Sequence, residues 1–339
     1  MMSFSSIDEL RGNQSAGCMF VLESFRRHMD NGRWLFQCGM EREGFVSAGG
    51  GLPPPGIDRI DVAEIVECCH PSVVIFWPRY EWDPAEWGGS EVLPEHCFQN
   101  WECLLDMPEI LRVAVFHDAG SSRAEQKRWH EVFRPDVYLT WYHHRSILAL
   151  APHVPSDRLL RIYHVIDADE APAICDRDGV GVVSGAYARG VYPLRTRAVA
   201  AAKAGRLGPD VGCLDHPGYF QVGPTSTAYV KLLSQYRVAL CTASAYGFAL
   251  RKIIEATLAG CVVITDLPEY DRLPGIDDNL VRVRPTISIP ELRELIRDQA
   301  DAWDLKRQTH YATTAAGLYD WRIMAETLAR KLTEWPRTT

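Results

Sequence analysis

The hydrophobic positions of this chain fall into two alternating patterns. Short apolar runs of strand length are followed by longer stretches in which apolar residues recur every three or four positions, the pattern of βα units on a mainly parallel sheet. In the first half, 2–6 (MSFSS) reads as a short strand and 8–13 as a turn, and 14–29 (QSAGCMFVLESFRRHM) has helical spacing up to a turn at Asp30-Asn31-Gly32. A strand is expected over 33–39 (RWLFQCG), followed by a loop over 47–56 (SAGGGLPPPG), whose glycines and prolines exclude regular structure. Then come a helix at 62–69, strands at 72–77 (SVVIFW) and 112–118 (RVAVFHD), a helix at 125–133 and strands at 137–141 and 159–166.

A polar segment, 168–179 (ADEAPAICDRDG), separates this half from a second run of alternation. There the pattern gives strands at 180–185 (VGVVSG), 237–244 (RVALCTAS) and 261–266 (CVVITD). Helices are expected at 193–205, 228–236, 249–260 and 289–299, and a last amphipathic helix spans 319–335. No period of 20–50 residues repeats, which excludes a solenoid. The expected architecture is therefore two doubly wound α/β domains side by side, with ligands beyond the carboxyl ends of the strands and in the cleft between domains.

The length of 339 residues suits two such domains, and a composition 47% hydrophobic and 24% charged supplies two cores. No stretch approaches the roughly 18 consecutive apolar residues of a membrane span. The start carries no basic segment followed by an apolar one, so no secretory signal is visible and a cytoplasmic location is expected. A net charge of −8 argues against a broad basic face for nucleic acid, but leaves room for a local basic pocket. None of the ten cysteines forms a C-x-x-C pair, and several lie inside apolar runs, where cysteine packs as a small hydrophobe; no metal site is expected.

Two helix starts stand out chemically. Residues 184–206 contain Arg189, Arg195, Arg197, Lys203 and Arg206 and no acid. Pro193 suits the first position of a helix, which places Arg195 in the first turn, where the macrodipole disfavours a cation by roughly 0.3–1 kcal/mol. A bound phosphate would offset that penalty; pairing of a surface arginine with Asp176 or Asp178 is the plainer alternative. In 242–260, Ser244 is a candidate N-cap and Gly247 a flexible point, with Arg251 and Lys252 in or near the first turn. Glu255 shares a face with Lys252 at i+3, as a solvated ion pair or as a phosphate ligand beside a ligand for sugar hydroxyls. Two such starts on neighbouring βα units point to a diphosphate.

Elsewhere, His117 and Asp118 end a strand as a candidate contact and general base, or as a loop cap. His143 and His144 read as a surface loop. The aromatic segment 78–91, with Tyr80, Trp82 and Trp87, reads as a loop that stacks on an acceptor or simply packs on the surface. Asp167 and Asp169 resemble a metal-binding Asp-x-Asp, but three short acids in a linker are common and this reading is set aside.

The second half is similar to the second domain of group 1 glycosyltransferases, whose fold is GT-B. The motifs that carry the likeness are GAYARGVYPLR, HPGY and LRKIIEATLAGCVVITDLPEYDRLPG, then a terminal YDWR helix, and they are closest to the spore-maturation-type branch. In the first half, GNQSAG resembles a glycine loop that includes Gly12, and FHDAG an acceptor-side turn. The resemblance implies two Rossmann-like domains facing a cleft: an acceptor-side domain over 1–168, a nucleotide-sugar domain over 177–315 and a return helix over 316–339 that packs on the first. It gives Arg195 and Lys252 to the donor diphosphate, with Gly185 in the same motif, and Glu255 to the ribose. Tyr219 would lie near the base, and Tyr246, Gly247 and Phe248 under the donor sugar.

The activity implied is a metal-independent, retaining transfer from a UDP- or GDP-linked sugar to a small-molecule, glycan or other hydroxyl acceptor, with no further cofactor. One feature departs from the group. Where it often carries an acid eight positions before Glu255, this chain has Gly247. A protein that only binds a nucleotide or glycan, and a transferase acting on a nucleic-acid base, are the competing readings.

Overall fold

The computed structural model describes residues 16–21, 31–48, 60–77, 79–81, 90–92, 98–116, 123–185, 190–214 and 225–337. Backbone proximity divides the chain into two compact units. The first comprises Met1–Arg26, Phe36–Tyr163 and Met324–Thr339; the second comprises Arg27–Leu35 and His164–Ile323.

The strands of the first unit are β1 (Gly17–Val21), β2 (Phe45–Ala48), β3 (Ile60–Asp61), β4 (Val73–Trp77), β5 (Arg79–Glu81), β6 (Ser90–Val92), β7 (Phe98–Gln99), β8 (Leu111–Val115), β9 (Val137–Thr140) and β10 (Leu159–Arg161). Six of them form a parallel sheet in the order β10-β9-β8-β4-β1-β2. Its helices are α1 (Asn31–Arg42), which enters this unit at Phe36, α2 (Val62–Cys69), α3 (Arg123–Phe133) and α4 (His144–Leu150). Helix α2 starts where Asp61 accepts the Glu64 N–H and stops where His70 turns left-handed. One sheet face, with Cys18, Phe20, Val74, Phe76 and Ala114, packs on α2 and α3 through Ile65, Val66, Trp129 and Phe133. The Phe76 ring meets Phe133 edge-on at 4.6 Å.

Two expectations fail here, and they fail together. The helix expected over 14–29 contains β1, and the strand expected over 33–39 is part of α1. β1 lies between β2 and β4, and its residues Gly17, Cys18, Met19 and Phe20 are buried on both faces and show no alternation, so its apolar residues merged with those that follow. In α1, Phe36 and Met40, four apart, go into the core, a spacing too short to register over seven residues. Ser47 and Ala48, read as loop, end β2, and the segment read as an aromatic loop holds the antiparallel pair β5–β6.

The second unit carries β11 (Gly179–Ser184), β12 (Val211–Leu214), β13 (Tyr236–Leu240), β14 (Val262–Thr265) and β15 (Leu280–Arg282) in a parallel sheet ordered β12-β11-β13-β14-β15. Helices α5 (Pro193–Lys203), α6 (Thr225–Leu233), α7 (Arg251–Leu258), α8 (Ile289–Asp301) and α9 (Leu305–Tyr319) belong to it. The last helix, α10 (Trp321–Thr333), passes into the first unit at Met324. Val183 joins the cluster made by α5 and α8 on one face of the sheet, while the next residue, Ser184, faces Tyr229 of α6 on the other. Helix α8 opens with a reciprocal Ser288–Glu291 cap and α9 with Asp304. The sheet order reverses between β11 and β13. Sequence-adjacent crossovers leave that point in opposite directions, which is where open α/β sheets form a crevice at the carboxyl ends of their strands.

Candidate functional site

The connections that leave this switch point run from β11 into α5 and from β13 towards α7. Helix α5 begins at Pro193 after Tyr192, α7 begins at Arg251 after Leu250, and neither preceding residue caps its helix with a side chain. Neither first turn holds an acid. Two helix N-termini therefore lack carboxylates where the macrodipole would favour them, and both carry cations instead. The expected cap Ser244 lies upstream in the loop, its hydroxyl accepting the Tyr246 N–H at 3.3 Å. The turn at Ser244 closes on itself before α7 begins, so the cap position passes to Leu250.

Arg195 is 2% exposed. Its Nε and Nη2 donate to the hydroxyl and the carbonyl of Thr242, each at 3.1 Å, and its guanidinium lies 4.0 Å from the Tyr192 ring centre. The surface pairing considered for it is thus excluded; Asp176 pairs with Arg237 at 3.0 Å. Lys252 Nζ is buried with no hydrogen-bond partner among the described residues and sits 5.4 Å from the centre of the Tyr229 ring. Burial, and then Arg195, pull its ammonium down to about 8, partly opposed by Glu255 and Cys241. The two cations converge on one backbone position. A Cβ built on Gly185, which has φ +108°, would overlap Lys252 Nζ and lie 3.3 Å from Arg195 Nη1. Only glycine both adopts this left-handed conformation readily and leaves the space in front of the cations open.

Surrounding groups hold this arrangement. The Tyr229 hydroxyl shares a short hydrogen bond with Ser184, and burial raises it well above the usual phenol range. Asp266, just past β14, accepts the Ala243 N–H at 2.7 Å and so fixes the loop that carries Thr242. Burial raises its carboxyl above the usual range, with the Ala243 hydrogen bond and Arg195 acting against it. Glu255 is 6% exposed and pairs with Arg251 Nε at 3.2 Å across one helical turn. The solvated Lys252–Glu255 pair is therefore not formed. Gly247 has φ +71°, and a Cβ there would stand 3.0 Å from Pro268 and 3.2 Å from the Tyr270 hydroxyl. An acid at this position would be both strained and crowded. Tyr246 and Phe248 flank it, with ring centres 5.7 Å apart.

Arg197 reaches away from the site to the carbonyls of Pro285 and Ile287, and Lys203 and Arg206 lie at the far end of α5. Gly12, His117, Asp118, Arg189, Tyr219, Trp82 and Trp87 lie outside the described residues. His143 and His144, expected on a surface loop, instead open α4: His143 is its N-cap and accepts the Arg145 N–H at 3.1 Å. Asp167 and Asp169 are bound by Arg322, which also contacts Asp320 at 3.2 Å, so these acids form an ion-pair node. Thr242, Ser184, Tyr229 and Asp266 escaped sequence reasoning. A small polar residue directly after an apolar strand was the available signal for Thr242 and Asp266.

By sequence, the chain matches no protein-family profile and no curated protein. Its structure does resemble solved ones. A glycosyltransferase from Rickettsia africae aligns at 10% identity over 95% of this chain and 100% of its own, with a TM-score of 0.55. Sucrose-phosphate synthase from Thermosynechococcus elongatus aligns at 12% identity over 94% and 98%, with a TM-score of 0.56. Anabaena HepE, solved with UDP and glucose, aligns at 12% identity over 94% and 99%, with a TM-score of 0.53. The chain has the GT-B fold. Its two parallel sheets of six and five strands are the two Rossmann-like domains of that fold.

Proposed function

We propose that this GT-B protein is a glycosyltransferase that uses a nucleoside-diphosphate sugar. The observation that carries the reading is the convergence of Arg195 and Lys252 on Gly185, between two uncapped helix N-termini at the sheet's switch point. A diphosphate placed there satisfies Lys252, cancels the like-charge repulsion and meets both helix dipoles. The same groups stabilise the charge that develops on the departing nucleotide, which supplies the electrostatic work of the reaction without a metal. Glu255, braced by Arg251, takes the ribose, Tyr219 the base, and the Tyr246-Gly247-Phe248 loop the underside of the sugar.

The donor is UDP- or GDP-linked; HepE, a structural relative, has been solved with UDP-glucose. His117 and Asp118 serve the acceptor, Gly12 belongs to the first domain's glycine loop, transfer retains configuration as the wider group 1 implies, and within that group the chain stands with the spore-maturation-type branch. The domains run 1–168 and 177–315 with the return helix 316–339, and the protein works in the cytoplasm. No helix among the described residues is long and apolar enough to cross a membrane. Thermal shift against UDP, GDP, UDP-glucose and GDP-mannose tests the donor site, since a ligand at 100 times its Kd stabilises by about 2.7 kcal/mol. Slow hydrolysis of the stabilising sugar nucleotide distinguishes an enzyme from a protein that only binds. If no sugar nucleotide stabilises the protein, or if Arg195→Ala leaves the shift intact, the assignment is wrong.

A further inference from the structure

The ammonium of Lys252 has a seat of its own within the second unit. Its Nζ is buried and has no hydrogen-bond partner among the described residues, yet it lies over the face of the Tyr229 ring, 5.4 Å from the centre. That is within the roughly 6 Å over which a ring quadrupole attracts a cation. The attraction is strongest where water is excluded, as it is around a tyrosine only 6% exposed. The ring is held in place, since its hydroxyl shares a short hydrogen bond with Ser184, which ends β11 immediately before Gly185. One contact therefore ties α6, which carries the ring, to the backbone position that Lys252 faces.

The other groups around the ammonium do not supply such a seat. Arg195 repels it, and Glu255 attracts it but is engaged by Arg251. Cys241, pushed up to about 12 by burial, stays a neutral thiol, and burial keeps the Tyr229 hydroxyl neutral as well. A carboxylate in place of the ring would hold the ammonium more tightly, but it would consume the N–H donors and repel an incoming diphosphate. An uncharged aromatic face attracts the cation and leaves all three N–H groups to donate.

We propose that Tyr229 is a positioning residue for the donor diphosphate: its ring seats the Lys252 ammonium, and the Ser184 hydrogen bond fixes the ring, so that the cation waits charged and unclaimed in front of Gly185. This rests on the reading of the site as a diphosphate site.

The test compares the full-length parent with Tyr229→Phe and with a protein carrying pentafluorophenylalanine in place of Tyr229, installed by stop-codon suppression. Phenylalanine keeps the electron-rich face, whereas the fluorinated ring keeps the shape and makes the face positive. Affinity for UDP-glucose is measured by isothermal titration from about pH 6 to about pH 9, a range that spans the value of about 8 at which Lys252 releases its proton. Tyr229→Phe is expected to follow the parent's pH profile. The fluorinated protein is expected to match both at about pH 6 and to bind about tenfold more weakly than Tyr229→Phe at about pH 9, its affinity falling off about one pH unit earlier. Should Tyr229→Phe fail to fold because Ser184 is left unpaired, Ser184→Ala is added to both variants, which removes the second hydroxyl too. Equal profiles for the two rings, or a loss of the same size at every pH, overturn the proposal and leave the diphosphate reading standing. A parent that binds no UDP-glucose removes that reading and the proposal with it.

Discussion

Replacing Lys252 by methionine separates what the proposed donor site gives to binding from what it costs the fold. Burial and the Arg195 guanidinium lower the ammonium from 10.5 to about 8. At about 1.4 kcal/mol per unit, a drop of this size is about 3 kcal/mol of unfavourable interaction with the protonated form. The unfolded chain holds its proton up to 10.5, whereas the folded chain releases it from about 8. Below that lower value the penalty is fully present; between the two values the unfolded state binds more protons, so stability rises with pH. Methionine keeps an unbranched stem over Tyr229 and removes the charge. Lys252→Met is therefore expected to melt higher than the parent at neutral pH, by roughly 2–4 °C for each kcal/mol recovered in a protein of two domains this size. Its advantage should shrink as pH is raised through the window between those two values. At the same time its stabilisation by UDP-glucose should disappear. Scanning calorimetry with and without the nucleotide reads both effects. A variant that melts lower than the parent yet keeps the nucleotide shift would mean that Lys252 is a packing residue that faces no ligand, and the reasoning would fall.

Gly185→Ala forces a side chain into a left-handed position and into the space before both cations; it is expected to lose roughly 1–3 kcal/mol of stability and most of its UDP-glucose shift, read in the same calorimeter. Thr242→Val removes the hydroxyl that holds Arg195 Nε but keeps the carbonyl contact, leaving a buried guanidinium N–H unpaired, so urea unfolding of the apo protein should show a loss of about 1–3 kcal/mol and UDP affinity by isothermal titration should fall by about 1 kcal/mol. Arg322→Gln strips the charged partner from Asp167, Asp169 and Asp320, and urea unfolding should show a loss of about 1–3 kcal/mol with the donor shift intact. Equal stability of that variant would show the node to be dispensable.

The two helix starts that carry the candidate site were legible because their oddity is local. A cation in the first turn of a helix, with no acid beside it, is a penalty that can be seen from sequence, and both Arg195 and Lys252 were found that way. What those cations face was legible only in part. Gly185 entered with its motif, but that it stands before both cations, and that Ser184 and Thr242 support them, depends on β13 pairing beside β11, a tertiary choice which apolar runs of similar length do not specify. The same limit explains Glu255. Positions 251 and 252 stand about 100° apart on a helix, so when Lys252 turns towards Gly185 it is Arg251, one full turn before Glu255, that is placed to pair with it. Spacing offered both partners and burial chose between them. The missed helix α9 has a related cause: its buried stripe is Gln308, Ala312, Ala315 and Tyr319, at helical spacing but too small and polar to register as an apolar face. Hydrophobic pattern therefore reveals elements that bury large side chains and passes over those that pack closely through small ones. Sites are legible from sequence where a residue violates the preference of its own element, and illegible where its function depends on a neighbour that the sheet order brings to it.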